Sequence, residues 1–237
     1  MSADTIARLK IALDDVKPAV LRRIEVPLTL RLDRLHLTIQ AAMGWTNSHL
    51  YEIRAGDVSW TTPYPDQDWA GDFLDARKAR LGDVLGTKTL KYLYDFGDGW
   101  EHTIKVERLI DPESGILYPR LIEAKGHCPP EDIGGPWGYG EFLEAIADPS
   151  HERHRELKEW FADDFNPHVV DVDWLSQALW HDLGSFDFQI AGFGKLKRRN
   201  LAAEQALNDT LPTCCGRQAD SPAPGLKPPL GIKSRHL

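Results

Sequence analysis

Cysteine is scarce in this chain. There are three in 237 residues: Cys128 stands alone, and Cys214 and Cys215 are adjacent. That spacing excludes a disulfide framework and offers no Cys-x-x-Cys pair for zinc. Long apolar runs are missing as well. None approaches the roughly 18 residues needed to span a bilayer, and the opening MSADTIARLK has no hydrophobic signal core. These absences predict a cytoplasmic protein with no membrane partner. Positive charge is also in short supply. The formal net charge of −8 argues against specific nucleic-acid binding, which requires clustered Lys and Arg to neutralise phosphates. Residues 198–237 carry six basic and three acidic side chains, so residues 1–197 carry −11.

Several signatures of chemistry are absent too. Gly134-Gly135 and Gly138-x-Gly140 precede a helix, but no Gly-x-Gly-x-x-Gly and no P-loop lysine accompanies them. There is no Gly-x-Ser-x-Gly elbow and no His-Glu-x-x-His.

What is present is an ordinary globular composition, 42% hydrophobic and 27% charged. Alternating runs predict strands over 5–13 and 20–26, with the turn chemistry of residues 14–18 between them. Leu32, Leu35, Ile39 and Ala42 fall at helical spacing, with Thr29 as N-cap and Gly44 past the end. Strands are expected over 50–55 and 58–61, a surface loop over 63–80 and a short helical turn over 81–85. A hairpin spans 88–106. A type I′ turn on Asp98-Gly99 would place Asp95 opposite His102, Leu93 opposite Ile104 and Lys91 opposite Val106. One more strand is expected over 118–124, then helices over 141–147, from a Ser150 cap to about 161, and from Asp171 or Asp173 onward. Residues 196–237 lack an apolar period and read as a disordered, mildly basic tail to a domain over 1–195.

Tight turns join antiparallel strands. The predicted fold class is therefore α+β: a largely antiparallel sheet built from hairpins, with helices packed on one side, in a single domain. Expected core residues are Leu35, Ile39, Trp45, Leu93, Ile104, Val106, Phe142 and Trp160.

Two loops concentrate carboxylates, imidazoles and aromatics. The segment DFGDGWEH supplies Asp95, Asp98, Trp100, Glu101 and His102, and GHCPPEDIGGPWGYG supplies His127, Cys128, Glu131, Asp132, Trp137 and Tyr139. Acids, an imidazole and a thiol are raw material for a divalent metal site or acid–base work, and Trp100, Trp137 and Tyr139 are candidate aromatic walls. His49 is a secondary candidate for the same site. The opposing reading is that these groups cap turns and tether a hairpin. The two loops are expected to converge.

The runs LDRLHLTIQAAMGWTNSHLYEI, YLYDFGDGWEHTIKVE and CPPEDIGGPWGYGEFLEAIADPSHERHRELKEWFADDFNP, in that order, resemble the plasmid pRiA4b ORF-3-like family. The resemblance covers roughly residues 5–181. It implies an α+β domain found on plasmids and mobile elements, with no settled biochemical activity. Relatives often show Trp-Arg-Arg where Leu21-Arg22-Arg23 stands here, and a second cysteine at the position of Ile133. A paired-cysteine role is therefore not expected. Some relatives carry a resolvase-type label, but no His-x-x-Arg and no basic DNA-binding module occurs here.

Three readings follow. The chain is a plasmid- or mobile-element-associated accessory protein that binds a protein or small-molecule ligand without catalysis. Alternatively, it is a metal-assisted hydrolase using Asp95, Asp98, His102, Glu131 and Asp132. The third reading is a DNA-associated accessory factor without recombinase activity. The first leads, because no catalytic motif supports the second and net charge opposes the third.

Overall fold

A computed structural model of the chain describes residues 5–63, 73–86, 89–161 and 165–183. The hairpin signals become β1 (Ile6–Leu13) and β2 (Leu21–Pro27), β3 (Tyr51–Ala55) and β4 (Val58–Thr61), and β6 (Thr89–Tyr94) and β7 (Trp100–Ile110). β5 (Phe73–Asp75) and β8 (Arg120–Lys125) complete one sheet in the order β5-β4-β3-β6-β7-β1-β2-β8. Every pairing is antiparallel except β4 with β5. The helices are α1 (Leu32–Met43), α2 (Leu81–Val84), α3 (Gly135–Ala147), α4 (His154–Phe161) and α5 (Val172–Leu183). The chain is thus α+β, as its alternating runs implied. None of the described helices is long and apolar enough to cross a membrane. The tail predicted over 196–237 lies outside the described residues.

Strand alternation sorts the sheet into two faces. Leu9, Ile11, Ile24, Leu90, Tyr92, Tyr94, Trp100 and Ile104 are buried with Leu32, Leu35, Ile39, Tyr139 and Phe142 from the helices in one apolar cluster. The other face is charged, and many of its charges are paired. Arg23 pairs with Glu107 and Glu123, Lys91 with Asp14, and both Arg8 and Arg120 with the buried Glu25. Arg22 instead points inward and is fully buried. Its guanidinium donates to the carbonyls of Leu21, Ala42, Lys125 and Gly126, which ties the end of α1 to the end of β8. Burial lowers its pKa, and Cys128 partly offsets that.

Several expectations are corrected, among them that α1 is preceded by Arg31 rather than Thr29 as N-cap and that β5 lies within the loop expected over 63–80. The β6–β7 loop has five residues, 95–99, not a two-residue turn on Asp98-Gly99. Asp95 takes a left-handed φ of 55°, its Oδ1 accepts the Gly97 N–H, and Gly99 N–H bonds back to the Asp95 carbonyl. This Asx turn shifts the register. His102 faces Tyr92, Ile104 faces Leu90, Leu93 faces Glu101, and Asp95 and His102 are not paired.

α3 begins at Gly135, six residues before its predicted start. Gly134 and Gly135 both have positive φ, and Pro136 fits the first turn. α4 begins at His154, and Ser150 bonds to Asp148 rather than capping it. Within the predicted core, Leu35, Ile39, Trp45, Ile104 and Phe142 are buried. Leu93 and Val106 are half-buried, and Trp160 is 50% exposed.

Candidate functional site

Three loops meet at one end of the sheet: α1–β3, β6–β7 and β8–α3. The first leaves α1 through Gly44, whose φ of 91° ends the helix. It is anchored to the third loop twice. Trp45 Nε1 donates to the Pro129 carbonyl at 3.0 Å, and Thr46 donates to Glu131 Oε2 through its N–H at 2.9 Å and its hydroxyl at 2.5 Å. The other oxygen of Glu131 accepts from the Tyr94 hydroxyl at 2.6 Å, and that hydroxyl in turn accepts the Ser48 N–H. Burial and the adjacent Glu131 carboxylate hold the Tyr94 phenol well above its usual pKa, so it remains a donor.

The hairpin tip is joined to both neighbours. Asp95 N–H donates to the Leu50 carbonyl at 2.9 Å, and Asp98 Oδ2 accepts the Gly134 N–H at 3.1 Å. At Gly135 any side chain would collide with the Asp98 carbonyl.

Underneath lies a closed ring of hydrogen bonds. Gln40 Nε2 donates to Tyr92 Oη, which leaves the Tyr92 proton for His36 Nδ1 at 2.9 Å. His36 Nε2 then donates to Asn47 Oδ1 at 2.6 Å, and Asn47 N–H returns to Gln40 Oε1. The ring fixes Asn47 in its left-handed conformation, φ 59°, two residues before His49.

What these bonds leave over is His49, Asp95 and Asp132. His49 Nδ1 lies 3.6 Å from Asp95 Oδ2, and His49 Nε2 lies 3.2 Å from Asp132 Oδ1. One donor atom from each of the three residues falls within 4.8 Å of the other two. His49 Nε2 is screened from solvent yet makes no hydrogen bond. Asp132, like Asp95, has a left-handed backbone, φ 60°. Beside them opens a cleft of about 370 Å3 lined by Ser48, His49, Leu50, Asp95, Phe96 and Gly97.

The residues singled out from sequence are distributed differently from expectation. Asp95 lines the cleft, and Asp132 stands beside it against His49. Asp98 and Glu131 stand in the same loops, but their oxygens are engaged in joining them. His102 lies in the core, where Nδ1 donates to the carbonyls of Trp100 and Tyr92, and Cys128 is buried in the apolar cluster. Trp100 and Tyr139 are core residues rather than walls, while Trp137 on the first turn of α3 is 81% exposed. His49 is more central than its sequence context implied. Its only local signal is its position after a helix-ending Gly44 and the turn-forming Asn47-Ser48. Phe96, which no sequence signal marks, is exposed on the cleft rim.

The same segments carry the relationship to known proteins. A family model for plasmid pRiA4b ORF-3-like proteins matches residues 5–174. The chain belongs to that family. The match spans His49, Asp95 and Asp132. A relative, the uncharacterised protein y4hQ of Sinorhizobium fredii, is 53% identical over 179 residues, covering 74% of this chain and 91% of its own. The crystal structure of MM3350, a protein of unknown function from Methanosarcina mazei, superimposes with a TM-score of 0.66 at 31% identity. That comparison covers 73% of this chain and 98% of MM3350. MM3350 therefore shares the fold of this chain.

Proposed function

We propose that this pRiA4b ORF-3-like protein is a non-catalytic binding module that holds a small polar ligand or a peptide end in the three-loop cleft. The observation that carries this reading is the division of labour among the loop residues. Glu131, Asp98 and Tyr94 are committed to joining the loops, whereas Asp95 Oδ2 and Asp132 Oδ1 each approach a different ring nitrogen of His49 without a hydrogen bond. Ordered loops bearing polar groups that structure does not use are typical of binding surfaces. The exposed Phe96 adds an apolar rim.

The hydrolase reading loses two of its five residues. His102 is sealed in the core and Glu131 already accepts three hydrogen bonds, so neither is placed to activate a water. The DNA reading fares no better. Arg8, Arg23, Lys91 and Arg120 on the open sheet face are paired with carboxylates, and the net charge is −8.

A library of polar fragments, screened by amide NMR shifts with chelator present, tests this. Hits are expected to shift Ser48, His49, Phe96 and Gly97. Hits confined to the apolar hollow of about 380 Å3 lined by Phe142, Ile146, Leu157, Phe161 and Phe165 would refute it.

A further inference from the structure

We infer that His49, Asp95 and Asp132 together form a binding site for a divalent transition-metal cation, an inference that rests on reading the cleft as a binding site and names what sits at its base. One imidazole and two carboxylates make a mixed nitrogen–oxygen donor set, suited to Zn2+, Mn2+ or Fe2+ rather than to a thiol-seeking ion. The His49–Asp132 spacing agrees with this. Bonds of roughly 2.0–2.2 Å at tetrahedral or octahedral angles put neighbouring donor atoms about 3–3.5 Å apart. His49 Nε2 and Asp132 Oδ1, 3.2 Å apart, stand at that distance; Asp95 Oδ2 lies 3.6 Å from the other ring nitrogen, Nδ1, with one donor atom from each of the three residues within 4.8 Å of the others.

The surrounding bonds prepare these donors. The Gly97 N–H holds Asp95 Oδ1 and leaves Oδ2 turned toward His49, an outer-shell arrangement of the kind that orients metal-binding carboxylates. His49 Nε2 adds to this: on a ring that is 28% exposed, it is a solvent-screened nitrogen 3.2 Å from the Asp132 carboxylate, with no hydrogen bond of its own. Each ligand comes from a different loop, and the loops are joined by Glu131, Asp98 and the Asp95 N–H rather than by the ligands themselves. A cation would offset the two carboxylates that flank His49. Its remaining coordination positions would open on the cleft beside Ser48 and Phe96, where an oxygen-bearing ligand could complete them.

The probe is Mn2+, a hard ion that disregards the thiols of Cys214 and Cys215. It is titrated into the full chain while paramagnetic broadening of the amide spectrum is followed. One saturable event is expected, with broadening centred on His49, Asp95–Gly97 and Asp132. His49→Gln combined with Asp132→Asn should abolish it while keeping the wild-type spectrum elsewhere. Asp132→Asn alone should weaken binding by more than the roughly 10–100-fold typical of losing an outer-shell partner. His168→Gln, remote from the cleft, should bind as wild type. No broadening up to about 1 mM, the weak limit for oxygen-rich cation sites, would overturn the inference. So would broadening that survives in the double variant. If fragments shift the cleft in chelated protein and Mn2+ does not bind, the metal site falls and the binding module stands. If Mn2+ binds and no fragment does, the metal site stands without it.

Discussion

Lowering the pH from 7 to 4 should remove about 6 kcal/mol of folding stability through two histidines alone. His36 is stacked on Tyr51, with ring centroids 3.6 Å apart, and sits inside the hydrogen-bonded ring described above. His102 is fully buried between Trp45 and Tyr92. Burial pushes each imidazole pKa from 6.5 down to about 4. For His36 the bond to Asn47 resists this, and for His102 the carbonyls of Tyr92 and Trp100 do. Because both folded-state values lie below the unfolded value, the unfolded chain takes up protons first as pH falls. Stability is therefore whole above about pH 6.5, declines to about pH 4 and levels off below it. A tenfold difference in proton affinity between the folded and unfolded chain is worth about 1.4 kcal/mol, so each histidine contributes roughly 3 kcal/mol over that window. That total rivals the roughly 5–15 kcal/mol holding a typical domain together. Urea denaturation at half-unit pH steps measures the slope, and His36→Gln should remove about half of this histidine contribution. A flat profile from pH 6.5 to 4, or either ring titrating near 6.5 by NMR, would contradict the assignment.

Gly135→Ala should cost about 3 kcal/mol or more, the sum of two penalties. A φ of 70° strains any L side chain by about 1–3 kcal/mol, and overpacking against backbone adds about 1–3 kcal/mol. The obstacle is the Asp98 carbonyl, which cannot rotate away as a side-chain tip would. Its displacement would also strain the Gly134–Asp98 bond that docks the hairpin tip on α3. Gly140→Ala, five residues along the same helix, is the internal control. An added methyl there meets no atom within 4 Å, and alanine's helix preference should make it neutral or stabilising by up to about 1 kcal/mol. Chemical denaturation of the two variants should therefore give effects of opposite or near-opposite sign. Equal effects would mean that Gly135 is not a contact point between the loops.

How much of this is legible in the sequence depends on how local its cause is. The β1–β2, β3–β4 and β6–β7 hairpins and α1 are written in short apolar periods, and they form where those periods lie. β5 leaves no such trace, because its three residues are strand only by virtue of a parallel partner, β4, brought from earlier in the chain. The start of α3 is hidden because GPWGYG has poor helix propensity. There, packing against Asp98 and Ile133 outweighs it. The register slip at the hairpin comes from one side chain, Asp95, whose Asx turn lengthens the loop and sends His102 into the core.

The site follows the same logic. Asp95 and Asp132 announce themselves by their glycine-rich surroundings. Trp100 and Tyr139 mislead, since an aromatic at a buried strand or helix position is more simply core. His49 cannot be promoted without knowing that its loop is pinned beside the other two by Glu131.

The most direct test of the binding-site reading compares two variants by denaturation at neutral pH without added metal. One carries His49→Gln with Asp132→Asn, and the other carries Glu131→Gln. If Glu131 joins the loops and His49 and Asp132 are held in reserve for a ligand, Glu131→Gln should cost about 1.5–3 kcal/mol, the worth of hydrogen bonds to a charged group. The double variant should then stay within about 0.5 kcal/mol of wild type, or gain, as functional sites often do when blunted. A loss in the double variant as large as that of Glu131→Gln would contradict the account. It would make His49, Asp95 and Asp132 a structural clasp rather than a binding site.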